Sequence, residues 1–306
     1  MQTILGAGGA IGVELAKELK NYTKDIRLVS RNPKKVNEND ELVSADLTVP
    51  SQVKQAVEGS EIVYLTAGLP YKTKVWEAKW NIIMDNVIEA CKHHDAKLVF
   101  FDNMYMYDAE RLDDMTEDTI INPSSRKGKV RGEIAHKLMQ EIEAGNIRAL
   151  IARAPDFIGP VNSLFSEMVI KKLMNGKKAN WFASVDKIHN FIHTKDAAKG
   201  TAILGNYDKA YGEVWHLPST TEKMTVNQWI DLTADELGVK PKYSLMSKGM
   251  MNLLGLFVPI LKEFKEMIYQ YDRDYYFNST KFNEKFDYVP MTAEEAIKDV
   301  IAHLKK

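Results

Sequence analysis

The chain has 306 residues, and 41 Lys and Arg face 42 Asp and Glu for a formal net charge of −1. That balance removes the whole-molecule basic field on which non-specific nucleic-acid binding depends, so no nucleic-acid partner is expected. One cysteine excludes an internal disulfide and any cysteine-based metal cluster, and it fits a reducing, cytoplasmic compartment.

At roughly 150 residues per domain the length allows one large or two modest domains. The first half alternates β-rich runs with helical patterns, which predicts a parallel sheet covered by helices. Expected strands are 3–5, 26–29, 42–44, 62–66, 98–101 and 149–152, and expected helices lie near 11–20, 51–58, 74–93 and 126–144. In the third helix Trp80, Ile83, Met84, Val87, Ile88 and Cys91 form one apolar stripe at helical spacing, which makes Cys91 a core thiol. Beyond about residue 155 the alternation loosens and loops rich in Gly, Pro and Asn separate shorter elements. The last 85 residues read as mainly helical. The fold class expected is α/β: a Rossmann-like, doubly wound parallel sheet over 1–155, with a smaller, mainly helical C-terminal substrate lobe over 156–306. The lobe is interleaved with the first domain and closes over a shared cleft. The most apolar stretch, Gly249–Leu261, contains Asn252 and Pro259 and falls short of the ~20 residues of a membrane span. The opening residues lack the basic start and long apolar core of a signal peptide. No membrane partner is expected.

Gly6, Gly8, Gly9 and Gly12 lie between the first strand and the first helix. A dinucleotide-binding turn needs glycine for the tight bend, for close approach to a pyrophosphate and for helix–strand packing. Gly-x-Gly-x-x-Gly starting at Gly6 fails because position 11 is isoleucine, whereas Gly-x-x-Gly-x-x-Gly fits Gly6, Gly9 and Gly12. The amides of Ala10, Ile11 and Gly12 at the helix start then face phosphate oxygens. The second strand ends not in an acid that would bind a ribose 2′-hydroxyl but in Ser30-Arg31, with Lys34 and Lys35 close by. A hydroxyl and a planar guanidinium suit a 2′-phosphate, which favours NADP(H) over NAD(H).

Arg126, Lys127, Lys129 and Arg131 crowd cations at a predicted helix start, where the helix dipole disfavours them. An external anion, either the cofactor or a phosphorylated substrate, is one reading, and a solvated face is the other. The histidines are scattered, and no metal site is expected. Gly249–Met267 begins almost uniformly apolar and turns amphipathic, which suits a buried core or pocket wall, or else a partner surface.

In order and spacing these motifs resemble the short-chain dehydrogenase/reductase superfamily, in particular its extended NAD-dependent epimerase/dehydratase branch. Asp46-Leu47 resembles the adenine-contacting pair and Thr66-Ala67-Gly68 the loop over the cofactor ribose. Asn86–Ala90 is similar to the central-helix motif, and the 153–160 run, with Pro155 and Phe157, to the segment beside the nicotinamide. His189–Asp196, which contains His193, is similar to the segment closing the substrate pocket. The resemblance implies a Tyr-x-x-x-Lys pair, yet no tyrosine here has lysine four residues on. Counted from Glu133, the family lysine falls on Lys129 and the tyrosine on Ser125. Counted from Tyr107, the upstream hydroxyl position falls on Asn103. An atypical subgroup with a rebuilt catalytic centre is therefore implied. Either Tyr105 or Tyr107 supplies the phenol while Asn103 holds a carbonyl, or no proton moves and the protein is a cofactor sensor. Arg126, Arg131 and His193 are the candidate substrate contacts. The expected function is redox chemistry on a small carbonyl, hydroxyl or sugar-nucleotide substrate. Non-catalytic NADP(H) sensing and sugar-nucleotide epimerisation are the alternatives, and a homodimer is the family-level expectation.

Overall fold

Short runs rich in β-branched and aliphatic residues build the sheet of the first unit. In the computed structural model, which describes residues 1–247, 249–251 and 259–305, these runs form β1 (Gln2–Leu5), β2 (Ile26–Ser30), β3 (Glu41–Ser44), β4 (Ile62–Leu65), β5 (Lys97–Asn103), β6 (Ala149–Ala154) and, much later, β10 (Val214–His216). The sheet order is β10-β6-β5-β4-β1-β2-β3, with Gln2 opposite both Ile26 and Ile62, in parallel pairing. The crossovers are α1 (Ala10–Leu19), α2 (Pro50–Val57), α3 (Thr73–His94), α4 (Arg126–Glu143) and α6 (Thr194–Gly205). Strand order reverses beside β1, the switch point of a doubly wound sheet, where such folds bind ligands at the strand ends. The central strands β1 and β4 are buried at every position, as parallel strands covered on both faces must be, whereas the edge strand β3 is largely exposed.

The expected strands and the four expected helices each fall on an observed element to within two residues. Helix α3 shows why. Trp76, Trp80, Ile83, Met84, Val87, Ile88 and Cys91 are all buried against the sheet. At roughly 1.5–3 kcal/mol per large apolar side chain, that seam outweighs the modest intrinsic propensity of the helix. The helix stops at Asp95, whose left-handed φ of 52° returns its N–H to the carbonyls of Cys91 and Lys92. Cys91 is fully buried, and burial pushes its thiol up.

The chain divides into two units, neither of them continuous. The first is 1–105, 127–153 and 197–217, and the second is 106–126, 154–196 and 218–306. The second unit carries two short parallel ladders, β7 (Phe157–Ile158) with β9 (Ile192–His193) and β8 (Ala179–Phe182) with β11 (Tyr243–Met246). Its helices are α5 (Lys171–Met174), α7 (Val226–Leu237), α8 (Pro259–Lys265), α9 (Thr280–Phe286) and α10 (Ala293–Leu304). Capping boxes at Thr225/Gln228 and Thr292/Glu295 start α7 and α10. An aromatic core of Phe165, Trp181, Phe191 and Trp229 joins them. Residues 252–258, the apolar heart of the Gly249–Met267 segment, lie outside the described residues. Among the described residues no helix is long and apolar enough to cross a membrane.

Candidate functional site

The first unit presents its glycine turn at the C-terminal end of β1. Gly6 takes φ +103°, and a Cβ there would lie 2.4 Å from Ala67 Cα, so the loops after β1 and β4 touch only because residue 6 has no side chain. A Cβ on Gly12 would meet Gly6 O at 2.7 Å, which requires glycine for the start of α1 to pack under the turn. Gly8 is different. A Cβ there would meet nothing within 4 Å, so the fold itself does not need glycine at that position. The bare backbone of Gly8 and Gly9, at the start of a helix with no acidic residue in its first turn, is open to an anionic ligand.

Around this turn the other expected contacts converge within the same unit. Ser30 ends β2 half-buried and Arg31 follows, exposed, its carbonyl accepting from Ser44 Oγ at 2.9 Å. Strand β2 ends in serine, without a carboxylate of its own. Asp46 follows β3. The Thr48 backbone N–H and hydroxyl, both bound to Asp46 Oδ1, hold its carboxyl below the ordinary range, with smaller help from Lys79 and Arg31. Leu47 is buried beside it, and Asn86 Nδ2 donates to the Leu47 carbonyl at 2.9 Å, tying α3 to this loop. Thr66 N donates to Leu5 O at 2.9 Å, which sets Ala67 half-buried and Gly68 exposed against the glycine turn.

Two of the cations at the start of α4, Lys127 and Arg131, are held by partners within the chain. Lys127, fully buried, donates to Thr73 Oγ1 at 2.8 Å and lies over the Tyr71 ring. Arg131 turns inward to Asp102, with Nε to Oδ1 at 2.7 Å, and its guanidinium stacks over Trp80 and Phe100. Arg153 Nε reaches the other oxygen of Asp102 at 3.3 Å. The Arg126 amide donates to Glu266 Oε2 at 2.8 Å, so the anion at this helix start is a glutamate of the same chain. Lys129 stays exposed, with no ion pair among the described residues. Asp102 also receives the Asn103 amide at 2.8 Å, and Asn103 Oδ1 in turn receives the Tyr105 amide at 3.1 Å. Tyr105 stacks on Trp76 at 6.1 Å between ring centroids.

The remaining candidates belong to the second unit. Tyr107 is completely buried in a bridge to Ile121. Ser125 is 1% exposed, and its hydroxyl is hydrogen-bonded to the phenol of Tyr269. Pro155 is buried and Phe157 half-buried, the latter paired with Ile192. His193 Nδ1 accepts from Lys195 N at 3.2 Å, which leaves the proton on Nε2, 3.3 Å from Asp299 Oδ2. His189 is stacked between Tyr271 and Tyr275, with Nε2 3.1 Å from Asp156 Oδ2. That same oxygen accepts from Tyr271 Oη at 3.2 Å. Both histidines thus meet acids that are remote in sequence, although among the described residues no group of three or more His, Cys, Asp or Glu side chains converges as a metal site would require.

Residues 3–216 match the model of the NAD dependent epimerase/dehydratase family, well over half of the chain. The chain belongs to that family. Solved structures with the same fold include the UDP-glucose 4-epimerase of Thermus thermophilus in complex with NAD, 15% identical with a TM-score of 0.80, covering 100% of this chain and 99% of that one. The UDP-glucuronic acid 4-epimerase of Bacillus cereus in complex with NAD is 17% identical, TM-score 0.79, with full coverage of both chains. Pal from Bacillus thuringiensis is 15% identical, TM-score 0.79, covering 99% and 100%. No curated protein sequence matches the chain. For an epimerase/dehydratase family member, the contacts of Asp102, Lys127, Glu266 and Tyr269 are the part that sequence reasoning missed. One signal was available. Lys127 and Arg131 lie three before Val130 and Ile134, on the apolar face of α4.

Proposed function

We infer that the first unit binds a nicotinamide dinucleotide, NADP(H) in preference to NAD(H), and that the protein carries out redox chemistry on a carbonyl or hydroxyl of a small or nucleotide-linked substrate. The observation that carries this reading is the glycine turn. Gly6 and Gly12 are required by the fold, whereas Gly8 is required only if a ligand's phosphates lie against the backbone. The turn, the Asp46-Leu47 loop held by Asn86, and the Ala67-Gly68 loop lie at the C-terminal ends of neighbouring strands, where a doubly wound sheet takes its ligand.

Each group has a stated task. The amides of Gly8, Ala10, Ile11 and Gly12 hold the pyrophosphate, while the Gly9 amide closes the turn on Gly6 O at 3.1 Å; Asp46 and Leu47 frame the adenine, and Ser30 and Arg31 receive a 2′-phosphate. Lys129, exposed one turn into α4, is the cation offered to the nicotinamide ribose. The nicotinamide, when bound, supplies or accepts a hydride. The chain's part is to orient it and to place a proton donor at the substrate oxygen. Asn103 is held at the end of β5 by Asp102, in a position to hydrogen-bond that oxygen. Members of this fold solved with NAD support the cofactor class, and Ser30-Arg31 supports the NADP(H) preference.

Fluorescence titration with NADPH and NADH tests the reading. Binding of neither sinks it, and tighter binding of NADH overturns the role given to Arg31. The sensor alternative draws on one observation, that Tyr105 is stacked on Trp76 and Tyr107 fully buried, which takes both away from proton transfer.

A further inference from the structure

Strand β2 ends at Ser30 and its parallel neighbour β3 begins at Glu41, so residues 31–40 carry the chain back along the length of the strand. Such a return usually takes about a dozen residues or more and a helix. This one has no helix and is held by side chains instead. Asp40, buried just before β3, accepts the Val36 amide at 3.0 Å and the Asn37 amide at 2.6 Å on Oδ2. Its Oδ1 accepts from Asn37 Nδ2 at 3.0 Å, and the same Nδ2 donates to the Ala16 carbonyl at 2.8 Å, which ties the connection to α1. At the other end Ala45 N donates to Ser30 O at 3.0 Å and Ser44 Oγ to Arg31 O at 2.9 Å. Both supports belong to elements that form the glycine turn. Helix α1 opens from it, and Val29 O of β2 receives the Gly6 amide at 2.9 Å and the Ala7 amide at 3.2 Å.

The three cations between these anchors are not equivalent. Lys35 turns back on the connection, its Nζ donating to the Glu38 carbonyl at 2.7 Å. Arg31 and Lys34 are exposed, and neither side chain has a hydrogen bond or ion pair among the described residues. Arg31 is near enough to Asp46 to help hold its carboxyl down, which turns the guanidinium toward the loop after β3. Pro33 restricts its own φ and disfavours a helical Asn32, so few backbone conformations remain open to Lys34.

Resting on the NADP(H) reading above, we propose that Asp40 and Asn37 form a latch that holds Lys34 beside Arg31 as the second cation for the dinucleotide's 2′-phosphate, with Lys35 kept out of the site. Arg31 supplies a planar fork and Lys34 a point charge, a combination suited to a phosphate dianion. Asp40 and Asn37 are positioning residues that touch no ligand. The latch is built wholly from the chain's own groups, so binding orders the ends of two side chains and not a loop. A ribose with a plain 2′-hydroxyl has no charge for either cation to meet.

The test titrates the wild-type protein and Lys34→Gln, Lys35→Gln, Asp40→Ala and Asn37→Ala with NADPH, NADH and adenosine 2′,5′-bisphosphate by calorimetry. Each variant is checked by thermal unfolding, and Asn37→Ala carries the latch test if Asp40→Ala does not fold. Lys34→Gln should weaken NADPH and the bisphosphate by roughly tenfold, spare NADH, and flatten the salt dependence of NADPH binding. Lys35→Gln should leave all three within about twofold of wild type. The latch variants should weaken NADPH by about three- to tenfold more than NADH, whereas a merely structural loss lowers both alike. If Lys35→Gln matches Lys34→Gln, or the latch variants weaken both dinucleotides equally, the proposal is overturned while the NADP(H) reading stands. A wild type that binds NADH as tightly as NADPH removes the 2′-phosphate site and this proposal together. Binding of neither removes the cofactor reading as well.

Discussion

Replacing Gly8 by alanine separates what the glycine turn does for the fold from what it does for a ligand. A Cβ at this position meets nothing within 4 Å, and Gly8 is not among the glycines with positive φ. In the free protein the change therefore removes only unfolded-chain entropy, a gain of about 0.4–1 kcal/mol. With a pyrophosphate in place, the methyl group pushes it off the backbone. Losing one amide bond to a charged oxygen costs about 1.5–3 kcal/mol, or roughly 10–150-fold in Kd. Gly6→Ala makes the opposite contrast. Its φ of +103° and a Cβ 2.4 Å from Ala67 Cα leave no relaxed solution, and strain of this kind costs about 1–3 kcal/mol before any ligand binds. Thermal unfolding followed by tryptophan fluorescence and nicotinamide fluorescence titration measure the two effects separately. If Gly8→Ala binds NADPH within twofold of wild type, or Gly6→Ala melts with it, the division of labour in the turn is wrong.

Three further outcomes are expected. Arg31→Ala lowers NADPH affinity by about tenfold or more relative to NADH, because a charge-assisted bond to the 2′-phosphate is lost, and parallel titrations read the ratio. Asp102→Asn leaves Arg131 and Arg153 buried around a neutral amide and costs about 3–5 kcal/mol in urea unfolding; a loss under 1 kcal/mol would show that water reaches the cluster. Asp46 titrates below its ordinary value, so the unfolded chain binds the proton more readily and its contribution to stability is lost as pH falls from about 4 through the folded value. Thr48→Val removes one of the two bonds responsible and should move the Asp46 titration upward by NMR.

The sheet was legible because its signals are local. A run such as Ile62-Val63-Tyr64-Leu65 identifies a buried parallel strand without reference to anything distant, and the Gly6-to-Gly12 spacing sits inside a single turn. The environment of α4 was not legible. Its crowded cations suggested an external anion, yet Lys127 meets Thr73 and Tyr71, Arg131 meets Asp102, and the Arg126 amide meets Glu266, 140 residues away. His189 and His193 likewise found their carboxylates at Asp156 and Asp299, beyond the range of any spacing rule.

The late arrival of β10 has a consequence for synthesis. Strand β6 ends at Ala154, but the strand that covers its outer edge begins only at Val214, after a long excursion through the second unit. At translation rates of about 5–20 residues per second, the nascent sheet carries the open edge of a buried, apolar strand for roughly 3–12 seconds. During that interval the ribosome-bound chain is at its most vulnerable to wrong pairing. Slowing elongation between codons 155 and 213 should therefore depress soluble yield more than slowing it within the first hundred.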